Sequence, residues 1–428
     1  MSITLVDIEG PVSEYTVSSD VISIANGTES QYFALKSIDT LRKISFESPS
    51  SLKYLGHYSF YRCSLLTEVN LSNCSSLETI GSFCFAQCTS ISRVIFPVQS
   101  KLEILDYASF YQDTSVISYS FPSSLRYING YSGEKGCFTY YYGEELRFNE
   151  GLLSIDSCVC IYAKCKYIYL PSSLTSLNPT AFICMPNLIE IYGGESSAYS
   201  IVDKALLSRD MTYLFTFPSW ITGKYIVHYN VKIIGIDSFC YSRLQEVILP
   251  ESCVELKNSP FFHMMLLTKL KIPKSVIIIT SSAIKDCPNL RNLRLEMERI
   301  PRLEYQSVEI LTFGNETKVI EDYALSNAVN LQNIIIPPSV TYIGVGAFQG
   351  LKKLQCVRIY GQPTIGNLAF QNTKISCGVD CFYSLIDPLI AAGINSILFN
   401  YCSITHAVQN NSCFRFLIGP QIFVFILI

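Results

Sequence analysis

The sequence predicts an α/β solenoid, in which each turn of the chain adds one strand to a curved, parallel β-sheet. Three observations support this prediction: an aromatic ring recurs at a regular spacing, a short apolar stretch precedes each ring, and proline often ends that stretch. Phe60, Phe85 and Phe110 are spaced by 25 residues, and Phe348 and Phe370 by 22 residues. This period lies within the roughly 20 to 29 residues of leucine-rich repeats. We therefore expect a leucine-rich-repeat solenoid.

The strand of each turn is predicted from apolar residues at alternate positions, as in LQEVIL, LTKLKI, LQNIII and LQCVRI. Successive side chains of a strand point to opposite faces, so one face is buried and the other is exposed. Proline lacks the amide donor that a ladder position needs, and Pro337 therefore ends the strand that closes with Ile336. A second apolar pair, as in SVTYIG, predicts a second short strand on the outer side. The A-F-x-x-C segment that follows predicts a short helical or 3-10 turn.

Small residues recur at the corner that follows each strand. A hydroxyl or thiol at this corner can form a hydrogen bond with the turning backbone. These corner residues are Cys74, Ser124, Ser173, Ser252, Ser275 and Ser339. Further along the turn, Gly344 and Gly346 are expected where the chain bends, because glycine tolerates positive φ.

Composition narrows the classes of protein that the chain can belong to. Of its 428 residues, 49% are apolar and 16% are charged, and the mean hydropathy is +0.28. Such a chain can bury a large core, which argues against intrinsic disorder. The net charge is -3 and no block of like charge occurs. A nucleic-acid surface needs clustered Lys and Arg to neutralise phosphates, so we expect no nucleic-acid partner.

With strand, proline, second apolar pair and A-F-x-x-C segment in register, the chain resembles the BspA-like leucine-rich-repeat family of bacterial and protozoan surface antigens. The resemblance covers roughly residues 41 to 400. Three segments carry most of it: SFESPSSLKYLGHYSFYRC (45 to 63), DKALLSRDMTYLFTFPSWITGKYIV (203 to 227) and IPPSVTYIGVGAFQG (336 to 350). The segment CGVDCFYSLIDPLIAAGI, 377 to 394, is similar to the C-terminal cap of that family.

The repeat and the resemblance together predict four regions. They are an N-terminal cap at 1–40, a solenoid at 41–376 that fits the repeat poorly at 129–165 and 295–325, a C-terminal cap at 377–400, and an apolar tail at 401–428.

No motif for catalysis or cofactor binding stands out in the sequence. Gly344, Gly346 and Gly350 miss the spacing of a dinucleotide-binding loop, and no phosphate-binding loop occurs. Cys158, Cys160 and Cys165, and the pair Cys377 and Cys381, are the candidates for metal ligands, but zinc sites usually combine two close pairs. We predict no catalytic residue, no metal and no cofactor, so the chain is not expected to be an enzyme.

The outward-pointing residues of the strands are the candidate binding residues, because they line the concave face that solenoids commonly use for binding. We expect a protein or cell-surface ligand there, with adhesion or recognition of host proteins as the role that the resemblance implies. An intracellular interaction scaffold of the same fold is the alternative. The candidate residues are Glu68, Asn70, Arg93, Tyr167, Tyr169, Glu246, Lys269, Lys271, Asn333 and Arg358.

The resemblance implies a cell-surface or secreted protein, and a cytoplasmic location is the alternative. Residues 1 to 20 lack the basic start and apolar run of a secretory signal. The apolar run at 416–428 is shorter than the roughly 20 residues of a membrane span. We therefore expect membrane association only if this tail is a truncated anchor.

Overall fold

The computed structural model describes residues 3–5, 8, 12–27, 40–131, 133–376 and 379–399. The expected N-terminal cap lies partly outside the described residues, and Cys377 and the apolar tail lie outside them. The chain divides into two compact units. The first unit comprises Met1–Leu267 and Ile278–Cys287, and the second comprises Thr268–Ile277 and Pro288–Ile428. Strands are numbered below in chain order.

The first unit contains the predicted repeat strands, which pair in parallel with their counterparts one turn away. They are β2 (Glu14–Val17), β4 (Lys43–Phe46), β6 (Glu68–Asn70) and β8 (Arg93–Ile95); β11 (Glu145–Arg147), β13 (Tyr167–Leu170) and β15 (Glu190–Gly193); and β19 (Thr222–Ile226) and β21 (Arg243–Ile248).

A second parallel sheet in the first unit is built from the short second strand of each turn. Its members are β1 (Ile3–Leu5), β3 (Val21–Ile24), β5 (Tyr54–Leu55), β7 (Thr79–Ile80), β9 (Ile104–Leu105), β10 (Tyr127–Ile128), β12 (Ser154–Ile155) and β14 (Ser176–Leu177). Two strands per turn, paired in parallel from turn to turn, confirm the predicted solenoid. The poorly fitting segment 129–165 contains β11 and β12.

An antiparallel hairpin that the period did not predict interrupts the first unit. Strands β16 (Tyr199–Val202) and β17 (Ala205–Ser208) pair antiparallel through a turn at Asp203 and Lys204, whose φ angles are 47° and 71°. Strand β18 (Tyr213–Thr216) pairs antiparallel with β17 on one side. On its other side it pairs in parallel with Ile233–Ile234, the short second strand of the following turn. The second strands that follow are β20 (Ile233–Ile234), β22 (Glu255–Leu256) and β24 (Ile278–Ile279).

The second unit repeats the two-strand turn and ends in short helical elements. Its repeat strands are β23 (Lys269–Ile272), β25 (Asn292–Leu295), β27 (Ile310–Phe313), β29 (Asn333–Ile336), β31 (Cys356–Ile359) and β33 (Val379–Asp380). Its second strands are β26 (Arg299–Ile300), β28 (Val319–Ile320), β30 (Tyr342–Ile343) and β32 (Thr364–Ile365). The 3-10 turn Tyr383–Leu385, helix α1 (Ile386–Ala391) and the 3-10 turn Ser396–Phe399 complete it.

The short turn expected at the ring-bearing corner consists of a series of single tight turns, each closed by a hydrogen bond from an amide to the carbonyl three residues before it. The residue two positions before the ring and the residue two positions after it are left-handed, as at Phe83 (φ 55°) and Gln87 (φ 62°) around Phe85. A left-handed residue ends a helical turn, so no helix continues through the corner. Many of these positions hold a residue other than glycine, among them Tyr58, Arg62, Ala108, Gln112, Asp237, Tyr241, Leu368 and Asn372. Cys158 and Tyr162 are left-handed in the same way around Cys160, which takes the place of the ring.

Gly344 and Gly346, in the stretch IGVGAFQG, are required to be glycine for different structural reasons. Gly346 has a φ of +59°, as expected for a bend. Gly344 is not left-handed; a Cβ atom there would lie 2.5 Å from the backbone nitrogen of Asp322. Glycine at this position therefore allows close approach to the preceding turn, and our expectation that Gly344 needs positive φ is wrong.

The rings that mark the period form a buried stack. Phe85 lies with its ring centre 5.2 Å from that of Phe60 and 5.6 Å from that of Phe110, and all three side chains are at most 1% exposed. Phe239 and Phe261 stack at 5.5 Å, and Phe348 and Phe370 stack at 4.9 Å.

A column of small buried side chains follows the rings. The thiol of Cys88 donates to the carbonyl oxygen of Phe60 at 3.0 Å, and the thiol of Cys287 donates to that of Phe261 at 3.0 Å. In the turn after that of Cys88, Asp113 occupies the position of the cysteine. Its carboxylate accepts a hydrogen bond from the backbone amide of Cys88 at 3.0 Å.

Corner hydroxyls tie successive turns together at several of the predicted positions. Ser124, Ser173 and Ser252 donate to main-chain carbonyls of the preceding turn at 2.7 to 2.8 Å. The hydroxyls of Ser275 and Ser339 are buried and have no hydrogen-bond partner among the described residues. All five of these corners hold serine, and its hydroxyl forms a hydrogen bond to the preceding turn in three of them.

Candidate binding face

The candidate binding residues all lie on repeat strands and none of their side chains is buried. Glu68 and Asn70 flank the buried Val69, and Lys269 and Lys271 flank the buried Leu270. The same alternation places the remaining candidates, Arg93, Tyr167, Tyr169, Glu246, Asn333 and Arg358, away from the core. The outward direction of these side chains is confirmed, and their role in binding stays a prediction.

Strand register brings some of these candidates next to one another. Glu68 on β6 lies opposite Arg93 on β8. Glu246 on β21 lies opposite Lys224 on β19, and their charged groups are 4.0 Å apart. Each of these acidic residues therefore has a basic neighbour, which makes the local surface mixed in charge.

An arginine and two tyrosines form a row across β11, β13 and β15. Arg147, Tyr169 and Tyr192 are register partners on these three strands. The Arg147 guanidinium carbon lies 4.1 Å from the centre of the Tyr169 ring and 5.9 Å from that of Tyr192. The electron-rich ring face attracts the cation, which orders all three side chains. Arginine and tyrosine are also the residue types that contribute most to many protein interfaces.

Two carboxylates fix the tyrosines of this row. The hydroxyl of Tyr192 donates to Glu145, and that of Tyr169 donates to Glu150 at 3.1 Å. Glu150 also accepts the backbone amide of Ser172 at 3.1 Å and its hydroxyl at 3.0 Å. Burial opposes ionisation of Glu150, but these hydrogen bonds outweigh it and lower its pKa. These contacts therefore restrict the orientation of both tyrosine rings.

Tyr169 is among the residues predicted from the sequence, whereas Arg147 and Tyr192 are not. Tyr192 could have been found, because it follows Tyr169 by one period and shares its position in the strand. Arg147 lies in the segment 129–165, which fits the repeat poorly, so its position in a strand could not be assigned from the period.

In the second unit, one carboxylate holds two basic residues of neighbouring strands. Glu296 lies 2.8 Å from the Lys271 ammonium and 2.7 Å from the Nε of Arg294, and 16% of its side chain is exposed. Burial opposes ionisation of Glu296, but the hydrogen bonds from Lys271 and Arg294 outweigh it and lower its pKa. Lys271 is thus a positioned cation, and Glu296 offsets part of the local positive charge.

Two exposed isoleucines lie on the same face of the second unit. Ile310 on β27 is 57% exposed and Ile335 on β29 is 50% exposed. Asn333 lies opposite Ile310, and Ile335 lies opposite Arg358, whose guanidinium is 3.3 Å from the Asp380 carboxylate. This face therefore combines apolar side chains with basic ones.

The described cysteines among the candidate metal ligands do not form a single group. Cys160 and Cys165 are fully buried in the main core of the first unit, whereas Cys158 lies in a separate cluster. Cys381 is a buried free thiol. Within the part of the chain that the structure describes, no three ligand-type side chains are grouped to hold a metal ion.

Two strands per turn, inward rings and an outward polar strand face define a leucine-rich-repeat solenoid. The BspA type leucine rich repeat region matches this sequence in six copies, over residues 28–135, 105–228, 212–303 and 303–379, and the chain belongs to this family. None of the curated proteins is significantly similar in sequence.

Solved structures with the same fold are distant in sequence. A leucine-rich repeat protein from Bacteroides ovatus is 20% identical with a TM-score of 0.62, covering 77% of this chain and 82% of its own. One from Eubacterium ventriosum is 20% identical with a TM-score of 0.55, covering 79% and 90%. A leucine rich cell surface protein from Faecalibacterium prausnitzii is 18% identical with a TM-score of 0.55, covering 92% and 94%. At this identity the likeness supports the fold alone.

Helix α1, with six residues, is too short to cross a membrane, and none of the other described residues form a helix long and apolar enough to do so.

Proposed function

We propose that this chain is a non-catalytic solenoid that binds a protein through the outward residues of its repeat strands. The row formed by Arg147, Tyr169 and Tyr192 carries this proposal. These side chains contact one another, and the two tyrosines donate hydrogen bonds to Glu145 and Glu150, so binding would cost little side-chain entropy. A surface that is merely solvated has no need of such ordering.

The second unit supplies a complementary type of contact. Lys269, Lys271, Arg294 and Arg358 point outward from its strands, and Ile310 and Ile335 are exposed between them. A partner that fits this face would carry carboxylates and apolar side chains. Charge complementarity of this kind mainly sets the association rate and the choice of partner.

The test is direct binding of the purified chain to a panel of purified extracellular and cell-surface proteins. For a protein that binds, the triple variant K269E/K271E/R358E is expected to weaken binding at least about tenfold, because it reverses three charges on the face. The circular dichroism spectrum should not change. The matched control K274E/R302E/K352E reverses three exposed basic residues of the same unit that lie outside the strands.

Equal loss of binding in both triple variants would show that net charge matters and the strand face does not. Unaltered binding in K269E/K271E/R358E would place the interface elsewhere.

We further infer that the chain acts at the cell surface or outside the cell, as adhesins do. This rests on the family and on the cell-surface description of one distant structural relative. Protease added to intact source cells should degrade the chain, and an abundant cytoplasmic protein should survive as the control. Survival of the chain until the cells are lysed would favour the intracellular scaffold instead.

A further inference from the structure

Two free cysteines far apart in sequence meet at two ring-bearing corners of the first unit. The sulfur atoms of Cys184 and Cys240 are 2.9 Å apart, although 56 residues separate them along the chain. Both side chains are 4% exposed and neither is in a disulfide. They lie in a small cluster with Cys158, Ile161 and Ile183, distinct from the main core.

The placement of the two thiols follows from the corner geometry. Cys184 is the left-handed residue two positions after Phe182, with a φ of 53°, and Cys240 directly follows the ring residue Phe239. The hairpin β16–β18 lies between the two corners in sequence, so their spacing exceeds the repeat period. A close thiol pair of this kind cannot be read from the period alone.

We propose that Cys184 and Cys240 form a disulfide when the chain meets an oxidising environment. A disulfide bond is about 2.0 Å long, so the two sulfurs need to approach by only about 0.9 Å. This bond would join the two corners that flank the hairpin in sequence and close a loop that contains β15 to β20. Formation of this disulfide does not depend on what the strand face binds.

The oxidant would be a small-molecule disulfide. The Cys184 thiolate attacks one sulfur of that disulfide, forms a mixed disulfide and releases one thiolate. The Cys240 thiolate then attacks the Cys184 sulfur, which forms the protein disulfide and releases the second thiolate. Two electrons pass to the small molecule, and the two protons of the protein thiols end on the two released thiols.

The environment of the pair determines how fast this exchange runs. Burial, followed by the neighbouring Cys184, raises the pKa of the Cys240 thiol. The thiolate is the attacking species, so oxidation of the folded chain should be slow at neutral pH and faster as the pH rises. Oxidation during folding, when the thiols are accessible, should be faster than in the folded chain.

Other thiol contacts in the first unit provide an internal comparison. Cys84 contacts the hydroxyl of Ser59 at 3.2 Å, and Cys137 contacts that of Ser109 at 3.0 Å. These thiols have hydroxyl neighbours and lie fully buried in the main core. They should stay reduced under conditions that oxidise the pair.

The experiment oxidises the full chain with glutathione disulfide at pH 8, both in the folded state and during refolding from urea. Remaining thiols are alkylated, the chain is digested without reduction, and cross-linked peptides are identified by mass spectrometry. The expected result is a cross-link between the peptides of Cys184 and Cys240, with Cys84 and Cys137 alkylated. The oxidised chain should also unfold at a higher temperature than the reduced chain.

Variants make the assignment specific. C158S removes the third thiol of the cluster and should leave the cross-link unchanged, whereas C184S and C240S should each remove both the cross-link and the gain in melting temperature. Alkylation of Cys184 and Cys240 in the refolded, oxidised wild-type chain would overturn the proposal. That measurement needs no variant, so it decides the matter even if C184S or C240S fails to fold.

Discussion

The carboxyl group of Asp237 is partly buried, at a position where a neutral side chain would give a more stable fold. It lies two positions before the ring of Phe239, with a φ of 49°, and Cys184 of the neighbouring corner hydrogen-bonds to it. Burial raises the pKa of Asp237 to about 6, and the hydrogen bond from Cys184 only partly offsets this effect. At neutral pH the fold therefore holds a partly buried charge that the unfolded chain would solvate.

This shift predicts a stability that falls as pH rises. The folded-state pKa lies above the unfolded value, so the stabilisation by the protonated form is complete below about pH 4 and is lost as pH rises through 6. Asp237→Asn removes the charge and suits a left-handed position. We expect it to raise the free energy of unfolding by about 1–2 kcal/mol at pH 7.5 and by little at pH 3.5.

Urea unfolding at the two pH values provides the measurement. Asp203→Asn is the matched control, because Asp203 is also left-handed but is exposed at the hairpin turn. It should change stability by a similar small amount at both values. A gain for Asp237→Asn that does not depend on pH would show that ionisation of Asp237 is not the cause.

At the scale of the element, alternation along the strand was predictable and the conformation of the corner was not. The pattern LTKLKI places Lys269 and Lys271 outward because side chains of any strand alternate. The corner instead contains left-handed residues as different as Tyr58, Gln87 and Asp237. Packing against adjacent turns imposes this conformation on residues that do not favour it, so no residue type marks it in the sequence.

The hairpin and the ordered side-chain groups also could not be predicted from the sequence pattern. β16 to β18 insert into the array and break the spacing between Phe182 and Phe239, so a search by period finds a gap there and no element. Glu296 lies just past its strand, and its contacts with Lys271 and Arg294 arise from the pairing of two adjacent strands. The sequence indicates which side chains face outward, and strand register decides which of them meet.

At the scale of the whole molecule, a solenoid distributes its stability over contacts between neighbouring turns. Phe85 illustrates this arrangement, because its ring stacks between Phe60 and Phe110 and is fully buried. In a repeat array stability is approximately a sum of the turns and of their nearest-neighbour interfaces. A defect in one turn should therefore weaken the adjacent turns first.

Phe85→Ala tests this expectation, since removal of a buried ring typically costs about 3–5 kcal/mol. In hydrogen exchange followed by mass spectrometry, protection should fall most in residues 54–111, which span the three stacked rings, and little in residues 310–370. The matched variant Phe348→Ala removes a ring that stacks on Phe370 in the second unit and should give the converse pattern. Equal loss of protection along the chain in both variants would show one cooperative unit, in which the nearest-neighbour description fails.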